Sequence, residues 1–295
     1  GRLKFESEHS FSSAKSLMLL HQNNMKAFEK QFPAFESSHS AYLRLSNSGE
    51  LTSLENLPQC MTVLQSLEGE TYVRPSVDFH VLDHLANKEG IYQVGQTVFK
   101  ITYYNVYKSN VKFVDMLKSK MIISDPNIEI LPISRESKEI KYRNELAECE
   151  WFYDEGSRKF HAEVKSRIYP GYAQISVDFD HYRKRFGIWW ANDAPFMSFS
   201  GTLSSDCCEF STPEGLVSGC CPTVGGNPCT FTPSFLGSLP ICTYGTSASG
   251  RDQSEIFDVI MDRDYGSHYH LGSPTNITFT GIGDDGVKRT CSIIR

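Results

Sequence analysis

Apolar positions in the first third of the chain recur at helical spacing. Phe11, Ala14, Leu17, Met18, Met25, Phe28 and Phe32 hold roughly one helical face. Pro33 ends it, because proline offers no amide to the helix and crowds the preceding turn. A second apolar pattern, Phe35, Tyr42 and Leu45, runs out in Ser46-Asn47-Ser48-Gly49. The spacing of Cys60, Met61, Leu64 and Leu67 predicts a short third helix. Val77, Val81, Leu82 and Leu85 predict a fourth, stopped by the turn-forming run Asn87-Lys88-Glu89-Gly90. The period then changes: residues 91–102 read as two short strands around a turn at Gly95. Residues 110–121 predict one more helix, and the charge-rich stretch 134–148 is the candidate junction.

From Trp151 onward the pattern alternates. Phe160, Ala162, Val164 and Ile168 share one side of a strand; His161, Glu163, Lys165 and Arg167 share the other. Pro170-Gly171 offers a turn, and Ala173, Ile175, Val177 and Phe179 then alternate with Gln174, Ser176, Asp178 and Asp180. The alternation continues in 196–203, 275–280 and, more weakly, 290–294, while 256–261 is apolar on both faces. The predicted fold class is α+β. A mainly helical region, 1–135, carries a β-hairpin near 91–102. An antiparallel β-sandwich-like domain, 148–295, carries a cysteine-rich insertion at 207–242.

Length agrees with such a division: 295 residues at roughly 150 per domain suggest about two domains. A hydrophobic fraction of 40% and a charged fraction of 22% are ordinary globular usage, which excludes a disordered or fibrous chain. The net charge of −6 argues against a nucleic-acid partner, since binding through phosphate neutralisation wants a basic face. No apolar run approaches the ~20 residues a membrane-spanning helix needs. The chain starts at Gly1 rather than Met, which predicts that any leader has been removed.

Cysteine changes the picture most. Six of nine, Cys207, Cys208, Cys220, Cys221, Cys229 and Cys242, crowd into a stretch rich in Gly, Pro, Ser and Thr that has no apolar periodicity. Such a loop needs staples, so the six are disulfide candidates and the compartment is expected to be oxidising. A zinc site is the rival, but zinc favours Cys-x2–4-Cys pairs, and Cys207-Cys208 and Cys220-Cys221 are adjacent. Neighbours on extended backbone point to opposite faces and resist chelating one ion.

The block Leu85-Ala86-Asn87-Lys88-Glu89-Gly90-Ile91-Tyr92-Gln93-Val94-Gly95-Gln96-Thr97-Val98-Phe99-Lys100-Ile101-Thr102 resembles a stretch of uncharacterised secreted or surface lipoproteins of gut Bacteroidetes. Phe35-Glu36-Ser37 and Phe186-Gly187-Ile188-Trp189 look similar to the same family. The resemblance implies a surface, periplasmic or extracellular location, a signal peptide and a lipid anchor upstream of Gly1. It implies no activity. The cysteine-rich loop departs from the family pattern and looks like an insertion.

Local enzyme signatures are sparse. Gly245-Thr246-Ser247-Ala248-Ser249-Gly250 misses the nucleophile-elbow spacing, and no phosphate-cradling glycine loop occurs. The best candidate is Asp264 with His268 and His270: on a strand the two imidazoles share a face and suit a metal. The rival reading of that segment is a polar turn with two exposed histidines. For binding, Trp189 and Trp190 beside Arg183 and Asn192 suggest an indole that stacks on a sugar or a peptide, against the reading that both rings pack inside. The expectation is a non-catalytic envelope or extracellular protein, without a cofactor, that binds a glycan or an envelope or host protein. The alternatives are a metal-assisted hydrolase using His268 and His270, and a purely structural envelope component.

Overall fold

The computed structural model describes every residue except 21–27, 52, 56, 67–68, 121, 123, 134–147, 170–171, 207–209, 213–214, 218–229, 233–240, 264–270 and 295. The chain is mostly β with a few short helices, which corrects the α+β expectation of a helical N-terminal part. It forms two compact units. The first comprises residues 1–133 and 183–192; the second comprises 134–182 and 193–295.

In the first unit α1 (Glu8–Leu20) and α2 (Ser38–Ser48) are the longer described helices; α3 (Leu82–Leu85) and α4 (Val114–Lys118) are a single turn or little more. The ends of α2 are set locally. The Ser37 hydroxyl accepts from the Ser40 amide at the N-terminus, and Gly49 takes the left-handed conformation (φ 72°) at the C-terminus. The predicted third helix is instead β2 (Met61–Gln65), paired antiparallel with β3 (Thr71–Pro75) through Val63↔Val73. Apolar spacing there fits a helix, but Thr62 and Val63 are β-branched and a partner strand lies six residues away, so pairing prevails. The predicted fourth helix shrinks to α3.

The hairpin near 91–102 is β4 (Ile91–Val94) and β5 (Thr97–Ile101), continued antiparallel by β6 (Asn105–Asn110) and β7 (Ile128–Pro132). The short strand β1 (Lys4–Phe5) joins β4 in parallel. Asn87 and Gly90 start this sheet. The Asn87 side chain accepts from the amides of Glu89 and Ile91 at 3.0 and 2.9 Å. Gly90 sits at φ 77°, and a Cβ there would meet the Ile101 carbonyl oxygen at 2.3 Å, so only glycine fits. Ile91, Val98, Leu117 and Ile128 pack as a core against this sheet. A second core joins Ala41 and Tyr42 of α2 to Cys60, Met61, Val73 and Trp190.

The second unit is built from β8 (Glu148–Tyr153), β9 (Arg158–Tyr169), β10 (Tyr172–Arg185) as far as Tyr182, β12 (Phe196–Asp206), β16 (Ile241–Gly250), β17 (Glu255–Arg263), β18 (Leu271–Ile282) and β19 (Lys288–Ile294). Strand β11 (Ile188–Ala191) belongs to the first unit, parallel to β3. One sheet of the second unit runs β17-β10-β9-β8. The other runs β16-β12-β18-β19, with the short β15 (Thr230–Thr232) beside β16; β13 (Phe210–Thr212) and β14 (Gly215–Val217) form a separate hairpin. Their inward side chains make one core: Phe160, Ala162, Val164, Ile175, Val177 and Phe179 from the first sheet, and Met197, Phe199, Leu203, Tyr244, Ile277 and Phe279 from the second. Cys149 on β8 and Cys291 on β19 are joined by a disulfide across 142 residues.

Candidate functional site

In the first unit a short ladder brings two distant segments together. Ser37 and Asn87 form an isolated antiparallel bridge, Ser38 N–H donates to the Ala86 carbonyl at 2.9 Å, and Lys88 N–H donates to the Glu36 carbonyl at 3.0 Å. The bridge has two consequences. It places Phe35, Glu36, Asn87 and Lys88 in the wall of a cleft of about 540 Å³ that Val114 and Lys118 also line. It also sets His39, two residues beyond Ser37, beside Asp83 and His84 of α3.

That second grouping is buried. His39 Nδ1 lies 2.9 Å from Asp83 Oδ2, and His84 Nε2 lies 3.9 Å from Asp83 Oδ1. The two imidazole rings are tilted against each other, with centroids 4.2 Å apart. Glu29 approaches from the other side of His84, its Oε1 3.5 Å from Nδ1, a contact too long for a good hydrogen bond. The hydroxyls of Ser37 and Ser40 both donate to the same Glu29 oxygen. Burial, with His39 adding to it, pushes the His84 imidazole below its usual pKa against the pull of Asp83 and Glu29. Burial alone would raise the Glu29 carboxyl, but the contacts from His84, Ser37 and Ser40 prevail and lower it.

The second unit has a buried polar strip on the face of β9 and β10 away from its core. Lys165 Nζ lies 2.7 Å from both Glu163 Oε1 and Asp178 Oδ2. His161 Nδ1 lies 3.8 Å from Glu163 and from Asp180, and Lys159 Nζ lies 2.8 Å from Glu150. These side chains are legible in sequence as the polar partners of the 160–164 and 175–179 alternation.

The residues singled out in sequence fare differently. Trp189 and Trp190 are both fully buried, so neither presents a ring face to solvent. Adjacent residues on β11 point to opposite faces, and both faces are covered; Lys184 Nζ sits 4.9 Å above the Trp189 ring and the Arg185 guanidinium 5.2 Å above Trp190. Arg183 is exposed and Asn192 is half-buried. Asp264, His268 and His270 lie outside the described residues, as do Cys207, Cys208, Cys220, Cys221 and Cys229. Cys242 lies on β16, opposite Ser205 of β12, with its side chain outside the described set. The described disulfide instead joins Cys149 and Cys291, two cysteines with no spacing signal. Cys60 is a buried free thiol whose pKa burial raises to about 11. The grouping of His39 with Asp83 and His84 was invisible in sequence, because 44 residues separate the ends of its shortest contact.

No family model matches the sequence, and no curated protein matches it. Among solved structures the chain is similar to a DUF4848 family protein from Bacteroides thetaiotaomicron at 11% identity and a TM-score of 0.24, with 99% of this chain and 96% of that one covered.

Proposed function

We propose that the chain is a non-catalytic binding protein of the cell envelope or extracellular space, and that the cleft beside Phe35 receives its ligand, a glycan. The cleft itself carries this reading. Its volume of about 540 Å³ suits a small ligand. Its wall pairs one aromatic residue, Phe35, with charges of both signs, Glu36 and Glu89 against Arg2, Lys88 and Lys118. An aromatic residue with charged hydrogen-bonding groups around it matches a sugar, which offers an apolar C–H face and a rim of hydroxyls. The Cys149–Cys291 disulfide supports an oxidising compartment.

A glycan array with the intact protein, followed by calorimetry on the hits, tests the reading. Phe35→Ala and Lys88→Ala should each weaken binding by about tenfold, the loss of roughly 1.4 kcal/mol. Glycan binding that neither substitution alters removes the cleft from the proposal. An array without hits favours a protein ligand or a purely structural role.

A further inference from the structure

We infer that His39, Asp83 and His84 form a site for one divalent transition-metal ion, with zinc the best match, and that Glu29 positions His84 for it. The proposal is independent of what the cleft binds.

The first argument is charge. Among the described residues no lysine or arginine pairs with Glu29 or Asp83, although the Asp83 side chain is only 3% exposed and that of Glu29 13%. Two carboxylates held this deep call for compensating positive charge. A divalent cation supplies that charge outright.

The second argument is the unsatisfied atoms. Asp83 Oδ1 and His84 Nδ1 are buried and make no hydrogen bond. Buried polar atoms are nearly always hydrogen-bonded, so an orphaned carboxylate oxygen close to a second imidazole points to a missing partner.

The third argument is geometry. Zinc bonds to nitrogen and oxygen are about 2.0–2.2 Å long, which sets tetrahedral ligand atoms roughly 3.4 Å apart. Asp83 is 2.9 Å from His39 and 3.9 Å from His84, on either side of that value, and one atom from each of the three fits within a 4.8 Å span. A set of two imidazoles and one carboxylate suits zinc and leaves a fourth position open. Glu29 completes the pattern. It faces Nδ1 of His84 while Nε2 faces Asp83, the arrangement in which a carboxylate orients a metal-bound histidine. Ser37 and Ser40 anchor Glu29 in turn.

The test uses the full chain, stripped with a chelator and with its free thiols alkylated so that cysteines hold no metal. Zinc is titrated against a chromophoric chelator, and cobalt is added separately to read its ligand-field spectrum. The wild type should bind zinc at sub-micromolar concentration and give a four-coordinate cobalt spectrum. Asp83→Asn and His84→Ala should each remove one zinc per chain. Glu29→Gln, which leaves the ligands in place, should weaken binding by about 10–100-fold. A wild type that binds no zinc overturns the proposal. So does stoichiometry unchanged in both ligand variants, since the metal then sits elsewhere. If the ligand variants fail to fold, unaltered affinity in Glu29→Gln overturns it as well.

Discussion

The two units bury charge by different means. In the second, the polar strip on β9 and β10 carries its own cation: Lys165 reaches Glu163 and Asp178 at 2.7 Å each. In the first, among the described residues, Glu29 and Asp83 meet imidazoles and hydroxyls, while Lys100, one of the two buried lysines of that unit, is spent on neutral groups. Its ammonium donates to Gln59 Oε1 at 2.7 Å and to the Ser119 carbonyl at 2.8 Å. The difference lies in chain geometry. On a strand, residues two apart share a face, so Glu163 and Lys165 are neighbours by sequence alone. In the first unit cation and anions lie on separate elements, and no local rule brings them together. Alternation places a lysine directly beside two of the strip's carboxylates; in the cluster assembled by tertiary contact, no lysine or arginine among the described residues pairs with Glu29 or Asp83.

The contrast is most exposed to Lys165→Met. Removing the ammonium leaves Glu163 and Asp178 buried without it, at an expected cost of about 3–5 kcal/mol in urea unfolding of the full chain. A loss below about 1 kcal/mol would show that the strip does not depend on its lysine. Next in size is the covalent tie of the same unit. Cys149→Ser with Cys291→Ser should cost about 2–4 kcal/mol, read from the same melts. No loss would mean that the sandwich holds β8 and β19 without it.

Lys100 sharpens the comparison through pH. Burial lowers its pKa from 10.5 to about 8, Glu89 opposing weakly. Below pH 8 the group is protonated in folded and unfolded chains alike, and the cost of burying the charge is fully present. Between about 8 and 10.5 the unfolded chain holds more protons at this lysine, so its contribution to stability should rise with pH across that window; Cys60, raised from 9.0 to about 11, opposes it above pH 9, where the folded chain holds the extra proton. The rise should therefore show most clearly between pH 8 and 9, and Lys100→Met should flatten it; a wild type that loses stability between pH 8 and 9 contradicts it. The smallest effect is expected for Asp83→Asn in chelated protein. Asparagine can still accept from His39 Nδ1 while removing an ill-compensated charge, so stability should change by no more than about 1 kcal/mol. A loss near that of Lys165→Met would mean that the first-unit cluster is as well compensated as the strip.

Much of the fold was legible where the signal is local. The alternation of Phe160, Ala162 and Val164 with His161, Glu163 and Lys165 matches the two faces of β9, because side-chain direction on a strand follows from the backbone. The start of β4 was legible in Asn87 and Gly90 for a similar reason: one side chain caps the turn, and one residue without a Cβ permits it. The helix read over 60–67 is a strand: apolar spacing there fits both periods, and a five-residue strand beside a partner is settled by pairing rather than by propensity. The helix read over 77–85 keeps only its last turn, Leu82–Leu85. The binding surface was illegible in a different way. Alternation told that Trp189 and Trp190 point apart, but not that both faces of β11 are covered.

By itself the sequence determined where strands alternate in 160–179 and that a turn falls at Asn87–Gly90 before the strand pair of 91–102, since each depends on backbone geometry within a few residues. The tertiary structure alone decided that both tryptophans are buried, that Cys149 meets Cys291 across 142 residues, and that His39 meets Asp83. Closing loops of that length costs chain entropy that no neighbouring residue offsets. Only cooperative packing of whole sheets and helices repays it, so those contacts leave no trace in local pattern.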